Sequence, residues 1–257
     1  TEEFFQQEKD FIIKEIKSII NDKYYYSLNR CFQEMCAEEP FGLYKLGRIE
    51  DHEKLTREEV YQQYQKIIQN NRILIFVIGD VDEQSVYEEI NSEFNFKHQA
   101  LKEYNNTIIK KEVAEIKEVE ERLNIEQGKL VLGFRTGITR KDELYYPLLM
   151  YNGILGSFPH SKLFQNVREK ESLAYYASSS LESTKGLLLI TAGIDFADYK
   201  KTREIILQEV EKMRQGDFTA EEFDWTMKSL INSFENTADN NRDLLAHYLL
   251  GVINHRP

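Results

Sequence analysis

Apolar positions recur with two different periods along this chain, and the change from one to the other lays out its elements. Residues 2–20 place Phe5, Ile12, Ile13, Ile16, Ile19 and Ile20 among charged neighbours, a 3.6-residue stripe that predicts an amphipathic helix. A second helix is predicted over 23–38 on Tyr25, Leu28, Phe32 and Met35, followed by a loop marked by Pro40, Gly42 and Gly47. Thr56 with Glu59 three residues on is a capping box that opens a helix to about Gln69. Arg72–Ile78 is a compact β-branched run closed by Gly79 and Asp80, read as a buried strand and its turn. Residues 83–94 return to the helical period. The polar stretch 98–111, with Asn105, Asn106 and Thr107, has no period and reads as a linker between domains at 1–97 and 112–257.

The second half begins with two strand-like runs, 112–121 and 128–136, then a helix over 142–155 and a turn through Gly156–His160. A short amphipathic helix runs to about Lys170 and breaks at Glu171 and Ser172. A β-type run, Ala174–Leu181, follows it, and a turn at 182–185 leads into the strongly apolar strand 186–194. Two helices, 197–214 and a long one capped by Thr219 with Glu222, end the chain. Strands, helix, hairpin and paired helices in that order, without βαβ alternation, predict an α+β fold.

Composition narrows the function classes. The 257 residues carry a net charge of −11, with 44 acidic against 33 basic side chains, which argues against an extended nucleic-acid footprint. No apolar run approaches the 18 residues of a membrane span. Two cysteines, Cys31 and Cys36, match no zinc or redox spacing; five apart on one helix, they should point to different faces as buried thiols of a cytoplasmic protein. The chain opens on Thr1 already inside a helical pattern and stops at Pro257 just after a helix, so both ends are expected to be cut.

Enzyme motifs are scarce. His52, His98, His160, His247 and His255 include no pair at ligand spacing, and neither H-x-x-E-H nor H-E-x-x-H occurs. Gly153-Ile154-Leu155-Gly156 is too weak a pattern for a phosphate loop. Glu8 and Glu15 stand two turns apart on one face of the first helix, where a solvated face is the plain reading. Arg168 at the end of a helix and Tyr175 at the start of a strand can project from one corner. Arg forks onto a carbonyl or carboxylate, and Tyr offers both a donor and acceptors. A surface Arg and a half-buried Tyr are the alternative.

Several of these runs carry a resemblance. Phe4–Ile16 resembles the helix after the catalytic helix of pitrilysin/insulinase-type zinc peptidases, which include the mitochondrial processing peptidases. Pro40-Phe41-Gly42, Leu46-Gly47 and Ile73–Asp82 are similar to that family's later landmarks in the same order. Leu163–Tyr175 is similar to its most specific second-half motif, and the resemblance covers nearly the whole chain. Phe158–Phe164 with Val167–Tyr176 looks most like the YmfF-type bacterial members, described as inactive metalloprotease homologues that pair with a zinc-bearing partner.

The resemblance implies a clamshell of two related α+β halves, each a mostly antiparallel sheet flanked by helices, around a peptide-binding chamber. In active members H-x-x-E-H supplies two zinc histidines and a general-base Glu, a downstream Glu completes the zinc set, and the metal makes hydroxide from bound water. By position Glu15 matches that downstream ligand, Glu8 a supporting acidic residue, and Arg168 and Tyr175 the pair that reaches the bound peptide. No catalytic residue is implied within the chain itself, and zinc is not expected to be held by it alone. The implied function is a non-catalytic or half-site subunit that binds peptide through Arg168 and Tyr175 beside a homologous zinc-peptidase chain. Two alternatives stay open: an active zinc metalloendopeptidase with H-x-x-E-H upstream of Thr1, and a structural or assembly subunit that processes nothing.

Overall fold

Leu187–Ile194 carries one polar side chain, Thr191, among apolar residues and glycine, and this near-continuous apolar run is the signature of a strand covered on both faces. In the computed structural model, which describes residues 1–94, 107–110 and 112–254, this run is the central strand of a three-stranded antiparallel sheet, and all eight of its residues are buried. It is β3. On one side β1 (Gly128–Arg135) pairs with it from Gly128 opposite Ile194 to Arg135 opposite Leu187. On the other side β2 (Ala174–Glu182) pairs from Ala174 opposite Ile194 to Glu182 opposite Leu187.

Because successive side chains of a strand point to opposite faces, β3 feeds two cores. Leu188, Ile190, Ala192 and Ile194 pack with Ile154, Leu155, Leu163 and Val167, and with Ile206 and Met213 of helix 199–214. Leu187 and Leu189 pack with Leu28, Phe32 and Met35 of helix 23–35 and with Cys36. That helix ends at Met35, so Cys36 leaves it and turns inward. Both thiols therefore join the same cluster, not the opposite faces expected from a helix continued to 38. Burial pushes the Cys31 thiol up to about 11, Cys36 adding to it, which keeps it protonated and inert.

The Cα arrangement groups residues into two compact units. One holds the sheet and comprises Ile19–Tyr44 and Thr107–Asn236; the other comprises Thr1–Ser18, Lys45–Asn106 and Thr237–Pro257. Of the expected linker, 98–106 and 111 lie outside the described residues, and 107–110 are irregular. In the second unit, helix 2–18 is fixed to helix 49–54 by Lys9, whose ammonium donates to the carbonyls of Glu53 and Leu55 at 3.1 and 3.2 Å. The helix of residues 57–70 starts on the expected capping box, with Thr56 and Glu59 each accepting from the other's backbone N–H.

Two expected strands do not form. Residues 72–78 are irregular and their apolar side chains half-exposed, with a bend kept at Gly79 and Asp80. A strand is stable only as part of a ladder, and among the described residues the unit that contains 72–78 offers no other strand to pair with. Residues 112–121 are held by charge instead. Glu121 accepts from Tyr26 and from Arg30 at 2.6 Å each, Lys117 pairs with Glu34, and Glu118 with Arg203.

The sheet's unit also contains a buried ionic trio. Glu39 and Lys185 have side chains 1% exposed, and Arg135 is nearly as buried. Glu39 binds Arg135 at 2.6 Å and pairs with Lys185, which also donates to the Ile108 carbonyl. Burial alone would raise the Glu39 pKa; the two cations outweigh it and hold the carboxyl below its usual range. One Arg135 nitrogen is buried without a partner, so the trio has one cation more than its carboxylate offsets. Removing that carboxylate strands two buried cations. Glu39→Gln is expected to cost about 3 kcal/mol in urea unfolding of the otherwise unchanged protein; a loss under about 1 kcal/mol, the usual worth of an exposed pair, would contradict this account of the trio.

Candidate functional site

The candidate site forms where a helix hands over to a strand. From Lys162 the chain winds helically and widens at Phe164–Lys170 into π-type turns, an irregularity that recurs at functional segments. Leu163 and Val167 are fully buried in the core beneath the sheet, which leaves Phe164 and Arg168 one turn apart on the neighbouring strip. The winding ends because Ser172 takes a left-handed conformation, φ 51°, a single residue that reverses the chain. The Leu173 N–H then donates to the Val167 carbonyl at 3.1 Å and closes the turn.

Leu173 and Ala174 are buried, and β2 starts with Ala174 opposite Ile194. The next pair is Tyr176 opposite Gly193, so Tyr175 is an extra residue with no partner across the ladder. Such a bulge re-aims a side chain out of the in–out alternation. Tyr175 is 62% exposed, and its hydroxyl donates to Asp195 Oδ1 at 3.3 Å. The Arg168 side chain is 43% exposed, with Nε 3.7 Å from Glu169 Oε1. Its guanidinium lies 4.6 Å from the centre of the Phe164 ring, an i, i+4 cation–π contact that orients it without consuming a hydrogen bond.

Tyr176 is the inward member of the tyrosine pair. Its ring meets Tyr24 edge-on at 5.8 Å and lies 5.3 Å from the Lys129 ammonium. Burial, with Tyr24 adding, pushes its phenol up to about 12. Burial also lowers the Lys129 pKa, against the pull of Asp22. Tyr176 is thus a neutral, packed side chain, and Tyr175 is the one presented to solvent.

The segment Phe158–Lys162, just before the corner, is turned to packing. His160 stacks on Phe158 at 5.4 Å, meets Trp225 edge-on, and shares a hydrogen bond of 2.9 Å with the Thr226 hydroxyl. Lys162 is nearly buried and pairs at 3.2 Å with Glu222. Glu222 and Thr219 also make the expected capping box of helix 220–237. Gly153 and Gly156, too weak as a phosphate motif, serve close approach: a Cβ at Gly153 would collide with Thr226, and one at Gly156 with the Ser179 backbone.

Glu8 and Glu15 lie on helix 2–18, both exposed, on one face as expected from their spacing. Among the described residues no three His, Cys, Asp or Glu side chains converge on a point that could hold a metal ion. The described residues therefore do not by themselves supply a three-ligand zinc site. No helix among them is long and apolar enough to cross a membrane. Sequence reasoning missed Phe164 and Asp195. The i, i+4 spacing of Phe164 and Arg168 was a usable signal; nothing local links Tyr175 to Asp195, twenty residues on.

Residues 54–230 match the family model described as "Peptidase M16 inactive domain". The chain is 38% identical over 237 residues, 92% of its own length and 55% of the relative's, to "Probable inactive metalloprotease YmfF" of Bacillus subtilis. It is 26% identical over 234 residues, 86% of its length and 50% of the relative's, to "Uncharacterized zinc protease SCO5738" of Streptomyces coelicolor. A solved structure of a conserved protein from Enterococcus faecalis superposes with a TM-score of 0.85 at 32% identity, covering 98% of this chain and 60% of that one. The chain thus spans about half the length of the relatives it matches.

The His160 contacts make a pH test available. Burial lowers the His160 pKa despite Glu222, so the folded state favours neutral imidazole. A folded pKa below the ordinary value of about 6.5 means the unfolded chain binds the extra proton first, and stability falls as pH drops below that value. Chemical denaturation at pH 7.5 and 5.5 should show this loss in the native protein and a smaller one in His160→Gln. Equal losses in the two proteins would contradict a neutral, packed His160.

Proposed function

The chain belongs to the peptidase M16 family, and from that premise we propose that it is a non-catalytic subunit that binds peptide through the Arg168/Tyr175 corner. The observation that carries the reading is the corner's construction. A left-handed residue and a β-bulge leave both side chains exposed, with Tyr175 held by Asp195 and Arg168 by the Phe164 ring and Glu169. Arg168 makes no hydrogen bond among the described residues, so its donors are free for a peptide carbonyl or carboxylate.

Zinc chemistry belongs, in this reading, to a homologous partner chain. Glu15 would be a ligand and Glu8 a supporting group only with histidines supplied from outside the described residues. The inward packing of His160 and Lys162 supports a structural role for the segment preceding the corner. An active zinc peptidase with H-x-x-E-H upstream is the second reading, favoured by the shared exposed face of Glu8 and Glu15.

The test is peptide binding by fluorescence anisotropy, using the full-length protein and a pool of fluorescein-labelled decapeptides. Arg168→Ala should weaken binding by about tenfold, the worth of a charge-assisted hydrogen bond, with circular dichroism unchanged. Undiminished affinity in Arg168→Ala would overturn the proposal.

A further inference from the structure

Two buried cations share the Glu39 carboxylate, and their remaining contacts point to different parts of the chain. Arg135, the last residue of β1, spends its guanidinium on the turn that holds Glu39: one nitrogen donates to the Met35 carbonyl and to Glu39 Oε1 and lies 3.7 Å from Cys36 Sγ. Lys185 stands in the turn between β2 and β3. An ammonium has three donors, and besides pairing with Glu39 it donates to the Ile108 carbonyl. Lys110, on the same segment as Ile108, pairs with Glu38 at 3.4 Å and reaches Glu39 at 4.0 Å. These contacts fall where the chain changes unit. It leaves the sheet's unit at Tyr44, soon after Glu39, and re-enters it at Thr107, next to Ile108. Segment 107–110 has no ladder or helix to hold it, and the Ile108 side chain is 60% exposed. Among the described residues its polar contacts are those of the Ile108 carbonyl and the Lys110 ammonium.

We infer that Lys185 is a strap: through Glu39 and the Ile108 carbonyl it holds the point where the chain re-enters the sheet's unit to the turn from which it leaves. Arg135 has the other task, joining β1 to that turn. The charges of the trio allow the two roles to be separated, because one carboxylate balances one cation. An apolar side chain in place of Lys185 leaves a balanced Glu39–Arg135 pair, and the released Ile108 carbonyl, on an exposed segment, turns to water. An apolar side chain in place of Arg135 leaves a balanced Glu39–Lys185 pair with the strap still closed. Neither change strands a buried charge, the step that makes loss of one partner costly. The inference is independent of the peptide-binding reading of the Arg168/Tyr175 corner.

A nitroxide spin label on Ile108→Cys in the full-length protein tests this by electron paramagnetic resonance. The side chain at 108 is exposed, whereas Cys36 is buried and the Cys31 thiol stays protonated. The spectrum of the equally treated protein without Ile108→Cys is subtracted. The label should be restricted in the otherwise native protein and equally so when Arg135→Met is added. With Lys185→Met its rotation should become about threefold faster or more, towards that of a free exposed side chain, while circular dichroism is unchanged. Unchanged mobility in Lys185→Met, or the same increase in Arg135→Met, overturns the proposal. A Lys185→Met protein that fails to fold overturns it too, since Lys185 would then serve the fold and not the path of 107–110. If Arg135→Met alone fails to fold, the comparison of Lys185→Met with the native protein decides by itself.

Discussion

The pairing of β3 with both of its neighbours is the constraint on which the rest of the sheet's unit depends. All eight residues of β3 are buried, with leucines and isoleucines feeding a core on each face. A slip of one residue would exchange those faces, so the register has no freedom. The extra residue of β2 therefore cannot be absorbed by sliding. It has to stand out of the ladder, and the residue that does so is Tyr175. The same register ends β3 at Ile194 and puts Asp195 beside the bulge. The position of the exposed phenol and that of its carboxylate partner thus have one cause.

The helix before the corner is fixed from the other side. Leu163 and Val167 are locked into the core of that face, and Lys162 and His160 are tied to helix 220–237 through Glu222 and Thr226. With its root held in this way, Arg168 needs only the Phe164 ring to set its direction. The run Phe158–Lys162 thereby acts as an anchor for the corner. The buried trio of Glu39, Arg135 and Lys185 ties the residue 36–42 turn to the far end of the same sheet, and it is a specific arrangement more than a source of net stability.

Most of the architecture was legible because it depends on local chemistry. Capping boxes at Thr56 and Thr219, the strongly apolar run 187–194 and the break at Ser172 each act within a few residues, and each appears where the pattern places it. What could not be read was pairing. Ile73–Ile78 is rich in residues a strand prefers and finds no ladder among the described residues of its unit; 112–121, also read as strand-like, is held by ion pairs. Cys36 was misplaced because the helix ends one residue before it. At the candidate site, Arg168 and Tyr175 are singled out by motif and position, whereas the bulge that exposes Tyr175 is a property of its pairing with β3, invisible in β2 alone.

The central claim is that peptide lies against the corner, and proximity labelling tests it most directly. A photoreactive phenylalanine analogue in place of Glu169, which adjoins Arg168 and is exposed, and in separate samples in place of the exposed Tyr146, would be irradiated with labelled decapeptides bound to the full-length protein. The account predicts cross-linked peptide from position 169, little from position 146, and loss of the 169 product when Arg168→Ala is added. Equal labelling at the two positions, or labelling at 169 that survives the loss of Arg168, would contradict it.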